Sequence, residues 1–209
     1  MLGETIGILV GGQSSRMGRP KALIEVEGGT LLERTVLVAK QASHRVVLLG
    51  DPPFELPVSL RDIEVWPDRF DDVGPIAGLD ALLQNMDGRY GVLVSCDMPY
   101  LAASLLKWLS STAHILRSDA VVCHTQDTSA PIGVRIHPCC AAYGAHIADK
   151  VADAIEQEQY GLCDLLKSLK VHPHLLSGDN ARWVENWNVP SDVIADEGPP
   201  ATAPQAEPS

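Results

Sequence analysis

The sequence has no C-x-x-C pair among its five cysteines, no internal repeat and no excess of positive charge. It also has no apolar run approaching the ~20 residues that a membrane-spanning helix requires. Each absence closes a class of function. Cys96, Cys123, Cys139, Cys140 and Cys163 lack the spacing of a zinc module and read as free thiols, most of them buried. Adjacent Cys139 and Cys140 face opposite sides if they lie on a strand, which argues against joint metal ligation. The histidines are scattered, and "HPH" at His172–His174 reads as a surface turn around Pro173. A formal net charge of -11 repels polyanions, so neither nucleic acid nor an anionic membrane is an expected partner. "MLGETIGILVGG" lacks the basic start and length of a secretory signal, so the expected location is cytoplasmic.

What is present is an ordinary globular balance, 45% apolar and 21% charged over 209 residues. That length suits a single domain, taken here as 1–194. The remainder, 195–209, is Pro-rich and acidic ("DEGPPATAPQAEPS") and offers no large apolar side chain to bury, so it is expected to be disordered.

Apolar stretches of strand length occur at Thr5–Val10, Arg45–Leu49, Ile63–Trp66, Tyr90–Ser95 and Ala120–Cys123. Between them lie helical spacings, such as Ile76, Leu79, Leu82, Leu83 and Met86. Runs like "GVLVS" are apolar on both faces, as strands covered by helices on two sides must be. The alternation predicts an α/β fold with a doubly wound, mostly parallel sheet in three layers. Further on, Ile132–Ile136 and Ala141–Tyr143 read as two short strands, followed by one helix around Ile147–Ile155 and another at "DLLKSL".

Ligands of such sheets bind at the carboxyl ends of the strands, near the point where strand order reverses. Three stretches are expected to converge there: "GGQSSRMGRPK" after the first strand, "PDRFDDVGPIAG" after the third and "CDMP" after the fourth. The first brings Arg16, Arg19 and Lys21 together without a carboxylate in an acidic chain. It is not a P-loop, because Gly12 and Gly18 are too far apart and "RPK" follows; nor is it G-x-G-x-x-G. Gly11 and Gly12 still let backbone N–H groups approach a small anion, which the cations would neutralise. A solvated basic turn is the alternative. Asp97, after an apolar strand, is placed to hold a hard cation or to cap the next helix. Gly74 and Gly78 suit a close approach of the following helix to a ligand, with Pro75 at its first position.

"LVGGQSSRMGRPKALIEVEG" resembles the signature of the molybdenum cofactor guanylyltransferase family. "GPIAGLDALL", "VSCDMPYL" and "NWNVPSD" resemble the family's later motifs in the same order, over roughly Ile6 to Val193. Pro20 stands where the family usually has an acid, and Val10 where it has a small residue. The resemblance implies a Rossmann-like nucleotidyltransferase fold and transfer of GMP from GTP to the terminal phosphate of molybdopterin or molybdenum cofactor. It implies Lys21, Arg16 and Asp97 as catalytic residues, with Asp97 holding Mg²⁺. Val10, Gly11, Gly12, Ser14, Lys21, Asp68, Gly74 and Asp97 are then the implied nucleotide-binding residues, and Asn186 and Asn188 the acceptor-binding ones. The two asparagines could equally be local caps before Pro190. Arg135 and Arg182 are further candidates for the acceptor phosphate. Molybdoenzyme maturation proteins are candidate partners. Alternatives are CMP transfer to the same cofactor, nucleotide transfer to a sugar phosphate or phospholactate, and a non-catalytic carrier of the cofactor.

Overall fold

A computed structural model of the protein describes residues 4–10, 20–26, 28–130 and 132–187. The alternating pattern resolves into helices on both faces of one seven-stranded sheet, ordered β5-β4-β1-β6-β8-β7-β9. In chain order, β1 (Thr5–Leu9) leads to a 3₁₀ turn (Lys21–Leu23) and a small ribbon of β2 (Glu25–Val26) and β3 (Gly29–Thr30). Helix α1 (Leu31–Ala42), β4 (Arg45–Leu49), β5 (Glu64–Trp66), α2 (Pro75–Asn85), β6 (Tyr90–Ser95) and α3 (Ala103–Leu116) follow. Strands β7 (Ala120–Gln126) and β8 (Val134–Gly144), helices α4 (Ala148–Glu156) and α5 (Leu162–Lys167), β9 (Val171–Leu176) and a 3₁₀ segment (Gly178–Val184) complete the fold.

All strands of the large sheet run in one direction except β8, which is antiparallel to both β6 and β7. Alternate side chains of the doubly apolar strands feed two cores. Ile6, Ile8 and Val92 pack with α1 and α3 on one face; Val47, Leu49 and Leu93 pack with α2 and α4 on the other. Helix α1 starts at a capping box, in which Thr30 Oγ1 accepts from the Glu33 N–H and Glu33 Oε2 accepts from the Thr30 N–H at 2.8 Å.

Two expectations need correction. The two short strands expected at Ile132–Ile136 and Ala141–Tyr143 are one strand, β8. Its pairing with β7 jumps from Val122↔Ala141 to Cys123↔His137, so Pro138, Cys139 and Cys140 have no partner on that side. This bulge breaks the apolar alternation and makes one strand read as two. "HPH" is not a surface turn but part of β9, where Pro173 is tolerated because β9 is an edge strand. The thiols are all free and most are buried, as expected: Cys96, Cys123 and Cys140 are buried, Cys139 is partly buried and Cys163 is exposed. The tail at 195–209, expected to be disordered, lies outside the described residues. Among those described, no helix is long and apolar enough to cross a membrane.

Candidate active site

The parallel strands β5, β4, β1 and β6 end along one edge, and the order reverses between β1 and β6, where a crevice must open. Lys21 reaches this crevice from the turn beyond β1, and Asp97 from the turn beyond β6. Their Nζ and Oδ2 are 3.6 Å apart, both side chains largely sheltered at 23% and 13% exposure. That separation is an electrostatic pairing rather than a direct hydrogen bond. The carboxylate is aimed by Ser95, whose hydroxyl donates to Asp97 Oδ1 at 2.6 Å. Asp97 does not cap the next helix: α3 begins six residues later, with Ala102 at its N-cap.

The closing motif is stitched to the same turn, because the Trp187 N–H donates to the Asp97 carbonyl at 2.9 Å. A small apolar cluster of Ile24, Leu31, Tyr100 and Trp187 lies beneath, with the Tyr100 and Trp187 rings edge to face, centroids 6.2 Å apart. One residue of this cluster follows Lys21, one follows Asp97 and one neighbours Asn186. Three motifs distant in sequence are thus held together by a cluster that contains none of the charged groups. Ser95, Tyr100 and Trp187 were missed by sequence reasoning; the aromatic residues inside "CDMPYL" and "NWNVP" were the available signal.

Asp68 lies beyond β5 on the same edge. Its Oδ1 is buried without a hydrogen-bond partner among the described residues, and its Oδ2 lies 3.1 Å from where a Cβ on Gly50 would sit. Burial holds its carboxyl above the usual range, reinforced by the charges of Asp51, Asp71 and Asp80. Gly74 precedes α2 with φ +78°, which glycine adopts without strain, and Pro75 occupies the first helical position. Gly78 serves packing instead of ligand approach: a Cβ there would collide with the Leu9 side chain.

Around the closing motif, Asn186 is exposed beside Trp187, and the Arg182 guanidinium lies over the Tyr100 ring, 4.3 Å from its centroid. Arg135 is held differently, paired with Asp127 at 2.9 Å in the β7–β8 hairpin. The thiols flanking the crevice are inert: burial and the Asp97 charge push Cys96 and Cys139 up to about 12. Val10 closes β1's end, its N–H donating to the Leu49 carbonyl at 3.1 Å. Gly11, Gly12, Ser14, Arg16 and Asn188 lie outside the described residues. No cluster of three or more His, Cys, Asp or Glu side chains suited to a metal occurs among the described residues.

A model of the MobA-like NTP transferase domain matches residues 6–174. The chain belongs to that family. It is therefore a nucleotidyltransferase, and the Lys21–Asp97 crevice lies where its sheet's strand order reverses. Similar proteins include a probable molybdenum cofactor guanylyltransferase of Opitutus terrae, 31% identical over 88% of this chain and 90% of that one. Another of the same description, from Bacillus cereus, is 27% identical over 90% of this chain and 92% of its own length. Among solved structures, molybdopterin-guanine dinucleotide biosynthesis protein A from Archaeoglobus fulgidus superposes with a TM-score of 0.74 at 23% identity, covering 91% of this chain and 95% of that one. The 2-C-methyl-D-erythritol 4-phosphate cytidylyltransferase of Thermus thermophilus shares the fold at TM-score 0.65 and 18% identity, covering 90% and 94%.

Proposed function

We propose that the protein transfers GMP from GTP to the terminal phosphate of molybdopterin or molybdenum cofactor, releasing pyrophosphate. The observation that carries this reading is the Lys21–Asp97 pair at the strand-order reversal, with the closing motif hydrogen-bonded to the Asp97 turn. The description carried by relatives that span nearly the whole chain supports it.

In this reading an ionised acceptor phosphate oxygen attacks the α-phosphorus in line, so no strong general base is needed. The P–O bond to the β-phosphate breaks and pyrophosphate leaves. Lys21, with Arg16, stabilises the charge that gathers on the phosphates. Cys96 and Cys139 stay protonated and supply no thiolate, in keeping with direct transfer. The donor set at Asp97 fits Mg²⁺, a hard ion commonly held by one or two carboxylates plus substrate phosphates. Asp97 would hold it, with Oδ1 anchored by Ser95 and Oδ2 not consumed by a short hydrogen bond. The ion would supply charge neutralisation across the phosphates.

Asp68 presents an unpartnered buried oxygen, and guanine carries adjacent N–H donors on one edge that would satisfy it. Gly11, Gly12, Val10, Ser14 and Gly74 complete the nucleotide side. Asn186 and Asn188 take the acceptor. Arg182, packed on the Asp97 turn through Tyr100, is better placed than Arg135 for the acceptor phosphate. Cytoplasmic GTP is the expected donor pool. Thermal-shift measurements with GTP, CTP and ATP, each with Mg²⁺, should show stabilisation by GTP alone. Equal stabilisation by all three, or preference for CTP, would contradict the guanine assignment.

A further inference from the structure

Helix α2 packs its length against the sheet through Ile76, Leu79, Leu82 and Leu83, yet carries a carboxylate, Asp80, whose side chain is 0% exposed. Isolated, such a charge is very costly. Its partner is Arg69, which binds it in a bidentate fork, Nε to Oδ2 and Nη2 to Oδ1, both at 2.7 Å. The guanidinium also lies 5.4 Å from the centre of the Phe70 ring. With the Arg69 side chain 48% exposed, solvent screens the pair, and burying the Asp80 charge offsets much of what the attraction contributes. Its value here must lie in geometry.

Arg69 is the next residue after Asp68. Asp68 Oδ1 is buried and without a partner, and a guanidinium on the adjacent residue is a ready local candidate to take it. Instead its Nε–Nη2 edge is turned to a carboxylate eleven residues on, in α2. Among the described residues, the charges that act on Asp68 are those of Asp51, Asp71 and Asp80, all negative.

We propose that Asp80 is a positioning residue for nucleotide selection: it sequesters Arg69 so that the buried oxygen of Asp68 remains an open acceptor for the N–H donors of the nucleotide base. This rests on the assignment of Asp68 to the nucleotide made above. Removing the Asp80 charge frees the guanidinium to fold back onto Asp68, filling the acceptor with an internal donor. Removing the guanidinium as well reopens it. A clamp that merely anchored the loop between β5 and α2 would give the opposite result, with the double change at least as harmful as the single one.

The test is the GTP dissociation constant, measured with Mg²⁺ by calorimetry, together with melting temperatures, for four full-length proteins: the parent, Asp68→Asn, Asp80→Asn and Arg69→Met/Asp80→Leu. Asp68→Asn and Asp80→Asn should each weaken GTP binding about tenfold, the scale of a lost hydrogen bond to a charged group. The double variant should bind within about threefold of the parent, since it exchanges an ion pair for apolar groups of similar size and leaves Asp68 open. Parent-like binding by Asp80→Asn, or a double variant as weak as Asp80→Asn, would overturn the proposal. Parent-like binding by Asp68→Asn would overturn the nucleotide role of Asp68 itself, a separate failure that this variant alone reports. Should Asp80→Asn not fold, the double variant still decides: parent-like affinity supports sequestration, and a tenfold loss refutes it.

Discussion

Two side chains meeting across the crevice between β1 and β6 carry most of the chemical burden. In the proposed reaction, Lys21→Ala removes the ammonium assigned to the transferring phosphate, and Asp97→Ala the carboxylate assigned to the cation. Each should abolish GMP transfer, while denaturant unfolding shows stability within about 1 kcal/mol of the parent, as expected for residues outside the packed core. Large destabilisation by either would make it structural. Ser95→Ala is the subtler case. Asp97 keeps its charge but loses the 2.6 Å hydrogen bond that fixes its Oδ1. We expect kcat to fall about tenfold with the GTP KM nearly unchanged, since a lost hydrogen bond to a charged group is worth about 1.5 kcal/mol or more. Steady-state kinetics checks this.

Elements bring these residues together, and here the apolar cluster of Ile24, Leu31, Tyr100 and Trp187 matters more than any charge. Trp187→Ala should cost about 3 kcal/mol in unfolding experiments, as for other buried large-to-small changes. It should also lower GMP transfer more than Trp187→Phe does, because the Asp97 turn and the closing motif lose their shared packing. Gly74→Ala probes the start of α2. With φ at +78° the substitution is strained by about 1–2 kcal/mol. The alternating strands, Pro75 at the helix start and the meeting of Lys21 with the Asp97 turn were legible in the sequence, because parallel βαβ packing imposes a local apolar period. The unity of β8 was not, since its bulge at Pro138–Cys140 is set by two neighbouring strands. Gly78 misled for a related reason: its lack of a side chain accommodates Leu9 of β1, a contact invisible in "GPIAG". Asp68 and Asp97 were recognisable from motifs, whereas the Asp80–Arg69 fork depends on where α2 lies relative to the preceding loop.

Across the whole molecule, two titrating groups at opposite ends of the strands tie stability to pH. Asp119, just before β7 on the edge remote from the crevice, accepts from the Lys170 N–H at 3.0 Å and pairs with His146 at 2.8 Å and Lys150 at 3.4 Å. Burial works against its ionisation, but these donors outweigh it and hold the carboxyl below its ordinary range. Its contribution is therefore present above about pH 4 and lost as pH falls through the depressed value. His137 acts at milder acidity. Burial, with the charges of Arg135 and His124, lowers it from 6.5 to about 4, so it is neutral when folded near pH 7 and its contribution is lost as pH falls between those values. Melting temperature against pH should decline below about 6.5, with a shallower decline in His137→Gln. Asp119→Asn should flatten only the more acidic limb. Because Asp119 lies at the ends of the strands remote from the crevice, Asp119→Asn should leave transfer unaltered. The most direct test of the functional account is pyrophosphate release by the purified protein given Mg²⁺ and either GTP or CTP, with and without freshly prepared molybdopterin or molybdenum cofactor. The account predicts release only when GTP and the acceptor are both present, with a guanine dinucleotide of the cofactor as the other product by mass spectrometry. Release with CTP in place of GTP, or no release under any combination, would contradict it.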